Sequence, residues 1–163
     1  MLDLDSEKWV SLSVPTGDAR RIPTLLTALQ NDPSTKNFDH FWDELTGGGG
    51  ELVICNAFFA AMPHAIAALR LLHGAARAAA IALIGWGVAL AGYQGKKIPR
   101  RFSDAYHAAL PDLVELSSAL VEQGVSPRYR PWLFAAMAAG AGRFPEALSI
   151  IDEIWASRRN FRV

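Results

Sequence analysis

The stretch AFFAAMPHAIAALRLL, residues 57–72, returns 48 positions later as AYHAALPDLVELSSAL, residues 105–120. The echo pairs Ala57 with Ala105, Phe58 with Tyr106, Ala60 and Ala61 with Ala108 and Ala109, and Met62 with Leu110. It continues through Pro63 with Pro111, Ile66 with Val114 and Leu72 with Leu120. Self-similarity at a period of about 20 to 50 residues points to stacked supersecondary units rather than to one irregular core. At the same offset ALAG, residues 89–92, meets MAAG, residues 137–140, so the unit reads as a helix pair. Weaker echoes of the apolar-proline pattern occur in IPTLLTAL from Ile22 and in FPEALSII from Phe144. Pro63 and Pro111 fall inside apolar runs, where a missing N–H and a steric clash bend a helix. Pro23 and Pro145 suit the first turn of one.

The rest of the chain fits helices separated by clear punctuation. Ile22, Leu25, Leu26 and Leu29 form one apolar stripe, closed by NDPS. Ser34 or Asn37 then caps a helix carrying Phe38, Phe41, Trp42 and Leu45, which ends in TGGGG. A run from 51 to about 73 contains Pro63 and is followed by Gly74, read as its C-terminal signal. Residues 75–92 form the buried partner, with Leu83, Ile84 and Trp86 in the core. The expected fold is all-α, a single domain of helical hairpins at about 19–47, 51–92 and 102–141 with a last helix at 143–157, and no segment asks to be a strand. The 51% hydrophobic content, much of it alanine, agrees with helix.

Residues 53–92 resemble a HEAT repeat, in which a proline bends the first helix and an arginine, spaced alanines and a glycine follow in the second. Pro63, Arg77, Ala80, Leu83, Ile84 and Gly85 fall at those places. The aspartate usual between the two helices is replaced, with Leu71 near its position, and in the next unit Val125 stands where the arginine would be. AGRFPEAL, residues 141–148, instead resembles a tetratricopeptide helix junction, with Gly142, Phe144 and Ala147 in suitable places. The whole chain is similar to uncharacterised bacterial HEAT-like proteins that open with a Trp-x-x-Leu element, here Trp9 to Leu12. Many of those carry His-Gln-Gly before the second proline helix, where this chain has GGGGE. The resemblance implies antiparallel hairpins stacked as a short HEAT-like solenoid, with tetratricopeptide-like stacking as the second choice.

Catalytic patterns are thin. His40, His64, His73 and His107 belong to no known ligand motif, and the tetraglycine lacks the Lys-Ser/Thr of a phosphate loop. Asp39, His40, Asp43 and Glu44 share helix faces, but with Phe41 and Trp42 beside them they read as the solvated side of an amphipathic helix. His64, directly after Pro63, reads as an exposed helix position. Cys55, the one cysteine, has apolar neighbours and reads as a buried, inert thiol. No enzyme activity, cofactor or metal is expected.

Concentrated charge is confined to the connector YQGKKIPRR, with Lys96, Lys97, Arg100 and Arg101, and to Arg128 and Arg130 one hairpin later. In a solenoid, equivalent loops line one edge, so these six bases form the candidate partner-binding set. Net charge is zero, but Met1–Glu51 carries nine acids against four bases and Leu52–Val163 seven against twelve. A balanced total disfavours nucleic acid, whose non-specific affinity comes from phosphate contacts. An acidic protein is the expected partner, in an immunity or antitoxin-like role by analogy. A nucleic-acid-binding or enzymatic HEAT-like protein using the same bases is the alternative. The uncharged stretch 78–95 is rich in Ala and Gly, so it reads as a buried helix rather than a membrane span. The lone cysteine and the absence of a signal-peptide pattern at MLDLDSEKW point to a bacterial cytoplasm.

Overall fold

A computed structural model describes residues 1–48 and 52–160, except for the side chains of 158–160. The described residues are mostly helical, as the alanine-rich composition requires, with seven α-helices. These are α1 (Ile22–Asn31), α2 (Thr35–Thr46), α3 (Asn56–Ala68), α4 (Gly74–Tyr93), α5 (Arg100–Glu122), α6 (Arg130–Gly140) and α7 (Phe144–Asn160). The tetraglycine from Gly49 onward and Glu51 lie outside the described residues. The chain divides into two compact units: Met1–Leu72 with Lys97–Ala109, and His73–Lys96 with Leu110–Val163.

In the first unit α3 is the central element. Ala57 to Ile66 are all buried, which is what a helix apolar on every side requires. Helices α1 and α2 pack on each other and on α3. An aromatic chain links the elements: Phe38 stacks on Trp42 at 6.0 Å, Trp42 meets Phe58 edge-on at 6.4 Å, and Phe59 meets Tyr106 of α5 edge-on at 5.3 Å. Ser34 caps α2 by accepting from the Asn37 N–H, and Gly47 ends that helix at φ 99°, a conformation that costs a residue with a Cβ.

The first eighteen residues hold an arrangement the sequence did not disclose. A 3-10 helix, Glu7–Ser11, buries Trp9, and Leu12 follows it into the core. A two-residue antiparallel pair then forms between β1 (Ser13–Val14) and β2 (Gly17–Asp18), which corrects the expectation of no strand. Its sequence, SVPTGD, places Pro15 and Thr16 in the turn and Gly17, at φ 146°, directly after it, and turn chemistry rather than apolar periodicity makes the hairpin. Asn56 at the start of α3 holds this hairpin, its Oδ1 accepting from Ser13 N–H at 2.6 Å and from Ser13 Oγ at 3.1 Å.

In the second unit α4 packs on α6 and α7, and α6 packs on α7. Contact is close because the facing residues are small. A Cβ built on Gly85 would stand 2.5 Å from Ala136 Cβ and 2.7 Å from Ala136 Cα, and one on Gly92 would enter the Phe144 ring. Trp132, Ala135 and Ile151 form the centre of a cluster with Trp86, Leu148 and Ile154 around it. The expectation that α4 is buried on all sides is corrected. Ile84 and Gly85 are buried, but Leu83 and Trp86 are half-buried. The helix is long and apolar enough to cross a bilayer by length and composition, and 50% of its most apolar window is buried.

Pro63 and Pro111 both lie inside helices. Around them the two segments agree at Phe58 and Tyr106, Met62 and Leu110, and Leu72 and Leu120, all buried. They differ at Ala57, Ala60, Ala61, Pro63 and Ile66, all buried, where Ala105, Ala109 and Val114 are half-buried and Ala108 and Pro111 are exposed. Helix α3 stops at Ala68 and Leu72 lies beyond it, whereas α5 runs unbroken past Leu120. Gly74 does not close α3; it opens α4.

Candidate functional site

All six candidate bases are exposed. Lys97, Arg100 and Arg101 belong to the first unit, and Lys96, Arg128 and Arg130 to the second. Arg100 and Arg101 occupy the first turn of α5, and Arg130 is the first residue of α6; neither helix has an acid in its first turn. A cation at the positive end of a helix dipole is disfavoured by a few tenths of a kcal/mol up to about 1 kcal/mol. Folding therefore gives no reason for these placements.

Other arginines at helix starts are differently arranged. Arg20 pairs with Asp18 at 2.8 Å, Arg21 with Glu44 at 3.0 Å and Arg143 with Glu146 at 3.0 Å. Arg100, Arg101, Arg128 and Arg130 make no ion pair among the described residues. Arg101 lies over the ring of Phe102 at 4.7 Å, and Arg128 over Tyr129 at the same distance. Arg128 also donates to the Tyr129 hydroxyl at 2.9 Å. These contacts hold the guanidinium groups in place and leave their charge uncompensated.

The remaining titratable groups have structural surroundings. His64 is not exposed: at 6% exposure it is one of the few buried polar residues, and its Nε2–H donates to the Leu2 carbonyl at 2.7 Å. Its ring lies 6.4 Å from that of Trp9, whose Nε1–H donates to the Asp3 carbonyl at 2.9 Å. Burial pushes the His64 pKa down, against the opposing effect of the Leu2 hydrogen bond. Burial likewise pushes the Tyr106 hydroxyl well above its ordinary range. Cys55 is half-buried at the N-cap of α3 rather than fully buried, because α3 starts at Asn56 and not at 51 as expected.

On α2, Phe38, Phe41, Trp42 and Leu45 are buried while Asp39, His40 and Asp43 face solvent. Burial and the neighbouring Asp43 raise the Asp39 pKa, and His40 opposes them. A shallow cavity of about 330 Å³ lies beside this face, lined by Arg21, Leu25, His40, Asp43 and Glu44. The Arg21–Glu44 pair already occupies one side of it. Among the described residues no three His, Cys, Asp or Glu side chains gather as metal ligands would.

One surface residue escaped the sequence reading. Phe134 is 46% exposed, four positions after Arg130 and on the same face of α6. In RPWLFAAMAAG it is one aromatic in an apolar run, and its outward direction follows only once Trp132, Leu133, Ala135 and Ala136 are known to be buried. Comparison with known proteins finds no matching family model, no matching curated protein and no matching solved structure.

Proposed function

We propose that this chain is a non-catalytic protein-binding module of a bacterial cytoplasm that engages an acidic protein through Lys96, Lys97, Arg100, Arg101, Arg128 and Arg130. The observation that carries the reading is the contrast among the arginines at helix starts. Those of α1 and α7 are ion-paired within the fold, whereas those of α5 and α6 make no ion pair among the described residues. Charge kept exposed and unpaired at the disfavoured end of a helix is a local conflict of the kind found where a surface serves a partner. The resemblance of residues 53–92 to a HEAT repeat supports a short solenoid of stacked hairpins as the scaffold, with a tetratricopeptide-like arrangement for the C-terminal helices as second choice. A role as an immunity or antitoxin-like protein fits a small chain built for recognition rather than chemistry.

The test starts with the partner recovered on the intact chain from the native cell. Reversing Arg100, Arg101, Arg128 and Arg130 to Glu together does not lower the thermal melt and raises it slightly, since exposed ion pairs contribute little to stability and acids are favoured in the first turn of a helix. Association with the partner slows by about tenfold or more at low salt, and the difference shrinks as salt rises. An affinity indifferent to both the reversals and the salt would show that these bases are ordinary solvated surface.

A further inference from the structure

We infer that the exposed face of α6, within the second unit, is an anchoring site, and that it takes an acidic protein segment carrying a large apolar side chain within one helical turn of its carboxylates. The inference rests on the reading of the bases given above and adds the chemistry of the occupant. Arg130, Pro131 and Phe134 are the exposed residues of α6, and all three fall on one side of it. Arg128, just before the helix, is held over Tyr129 by the ring contact and by its bond to the phenol. A single exposed phenylalanine is ordinary on a protein surface. Here it stands one turn from Arg130 and six residues from Arg128, neither of which makes an ion pair among the described residues, and arginine beside aromatic rings is the composition enriched in interface hot spots.

Charge complementarity selects the occupant. Two unpaired cations within three residues call for carboxylates, and Phe134 one turn along calls for an apolar group at the matching distance. The two features together are satisfied neither by a uniformly acidic chain nor by a plain apolar helix. Nucleic acid offers the wrong pattern. One phenylalanine makes no platform for successive bases, and the second unit carries only a modest excess of base, with eight basic against six acidic residues.

A phage-displayed library of random 16-residue peptides, selected on the full chain, supplies the probe. Enriched peptides are synthesised and their affinities measured for the parent chain, for Phe134→Ser and for Arg128→Glu with Arg130→Glu, each variant first checked by its thermal melt. The expected peptides carry two or more acids within four positions of Leu, Ile, Phe or Trp. They lose about tenfold or more in affinity to Phe134→Ser at every salt concentration, and lose affinity to the double reversal chiefly at low salt. Acidic peptides that ignore Phe134→Ser but fail on the double reversal overturn this inference and leave the charge reading standing. Peptides that bind all three proteins equally overturn both. A selection that yields no peptide sensitive to Phe134, or an oligothymidine probe that binds in a Phe134-dependent way, overturns the assignment of an acidic protein segment.

Discussion

Gly85→Ala is the sharpest test of how the second unit is packed, because two opposing effects set the sign of its outcome. On helix propensity alone the change is favourable, since alanine is about 0.8 to 1 kcal/mol better than glycine in a helix interior. Packing opposes it. The new Cβ would stand 2.5 Å from Ala136 Cβ and 2.7 Å from Ala136 Cα, where ordinary contact begins near 3.4 Å. The neighbour is backbone and the first atom of a side chain, so no rotamer change relieves the clash. Helices α4 and α6 must part by about 0.9 Å, the difference between 3.4 and 2.5 Å. Parting loosens the contacts around Trp132 and Ala135 as well. Overpacking of this kind costs typically about 1 to 3 kcal/mol, and a backbone contact belongs at the upper end. The net expectation is a loss of about 1 to 2 kcal/mol, or roughly 2 to 8 °C in melting temperature for a chain of this size. Urea unfolding followed by circular dichroism gives the free energy, and a thermal scan gives the midpoint. A variant as stable as the parent, or more stable, would mean that α4 and α6 are not in backbone contact and that the packing described for this unit is wrong.

Two further outcomes follow from burial. His64 has a folded pKa below its ordinary value of 6.5, so its neutral form is favoured in the fold; its contribution to stability is complete above about pH 6.5 and is lost as pH falls through the lower folded value. The pH dependence of unfolding in that window should weaken in His64→Gln, and an unchanged slope would place the titration elsewhere. Ile84→Ala, at a fully buried site, should cost about 2 to 5 kcal/mol, while Leu83→Ala, at the half-buried position beside it, should cost less than half as much; equal costs would contradict the orientation of α4.

Helix positions were legible because the signals that start and stop helices are local. Ser34 caps α2 as its hydroxyl predicts, Pro23 and Pro145 sit in the first turns of α1 and α7, and the apolar stripe of α2 faces inward. The misjudged positions depend on what lies across from a residue. Leu83 and Ile84 are equally apolar neighbours, and only the placement of α6 and α7 decides which is covered. His64 looked exposed because its partner, a backbone carbonyl at position 2, leaves no trace in side-chain pattern. The short β pair escaped because two residues are too few to show alternation. The basic set was visible as composition. Its contrast with the paired arginines at other helix starts required side-chain geometry.

The two ring N–H groups that hold the N-terminal arm, from His64 and Trp9, grip the carbonyls of Leu2 and Asp3 rather than their side chains. Every amino acid carries such a carbonyl, so the identities of residues 2 and 3 are free to drift as far as these bonds are concerned. The constraint is carried wholly by the gripping side, at positions 9 and 64. Alanine substitutions through the arm would therefore report it as dispensable while it remains held. Its detachment would be revealed by backbone amide exchange after changing the histidine or the tryptophan.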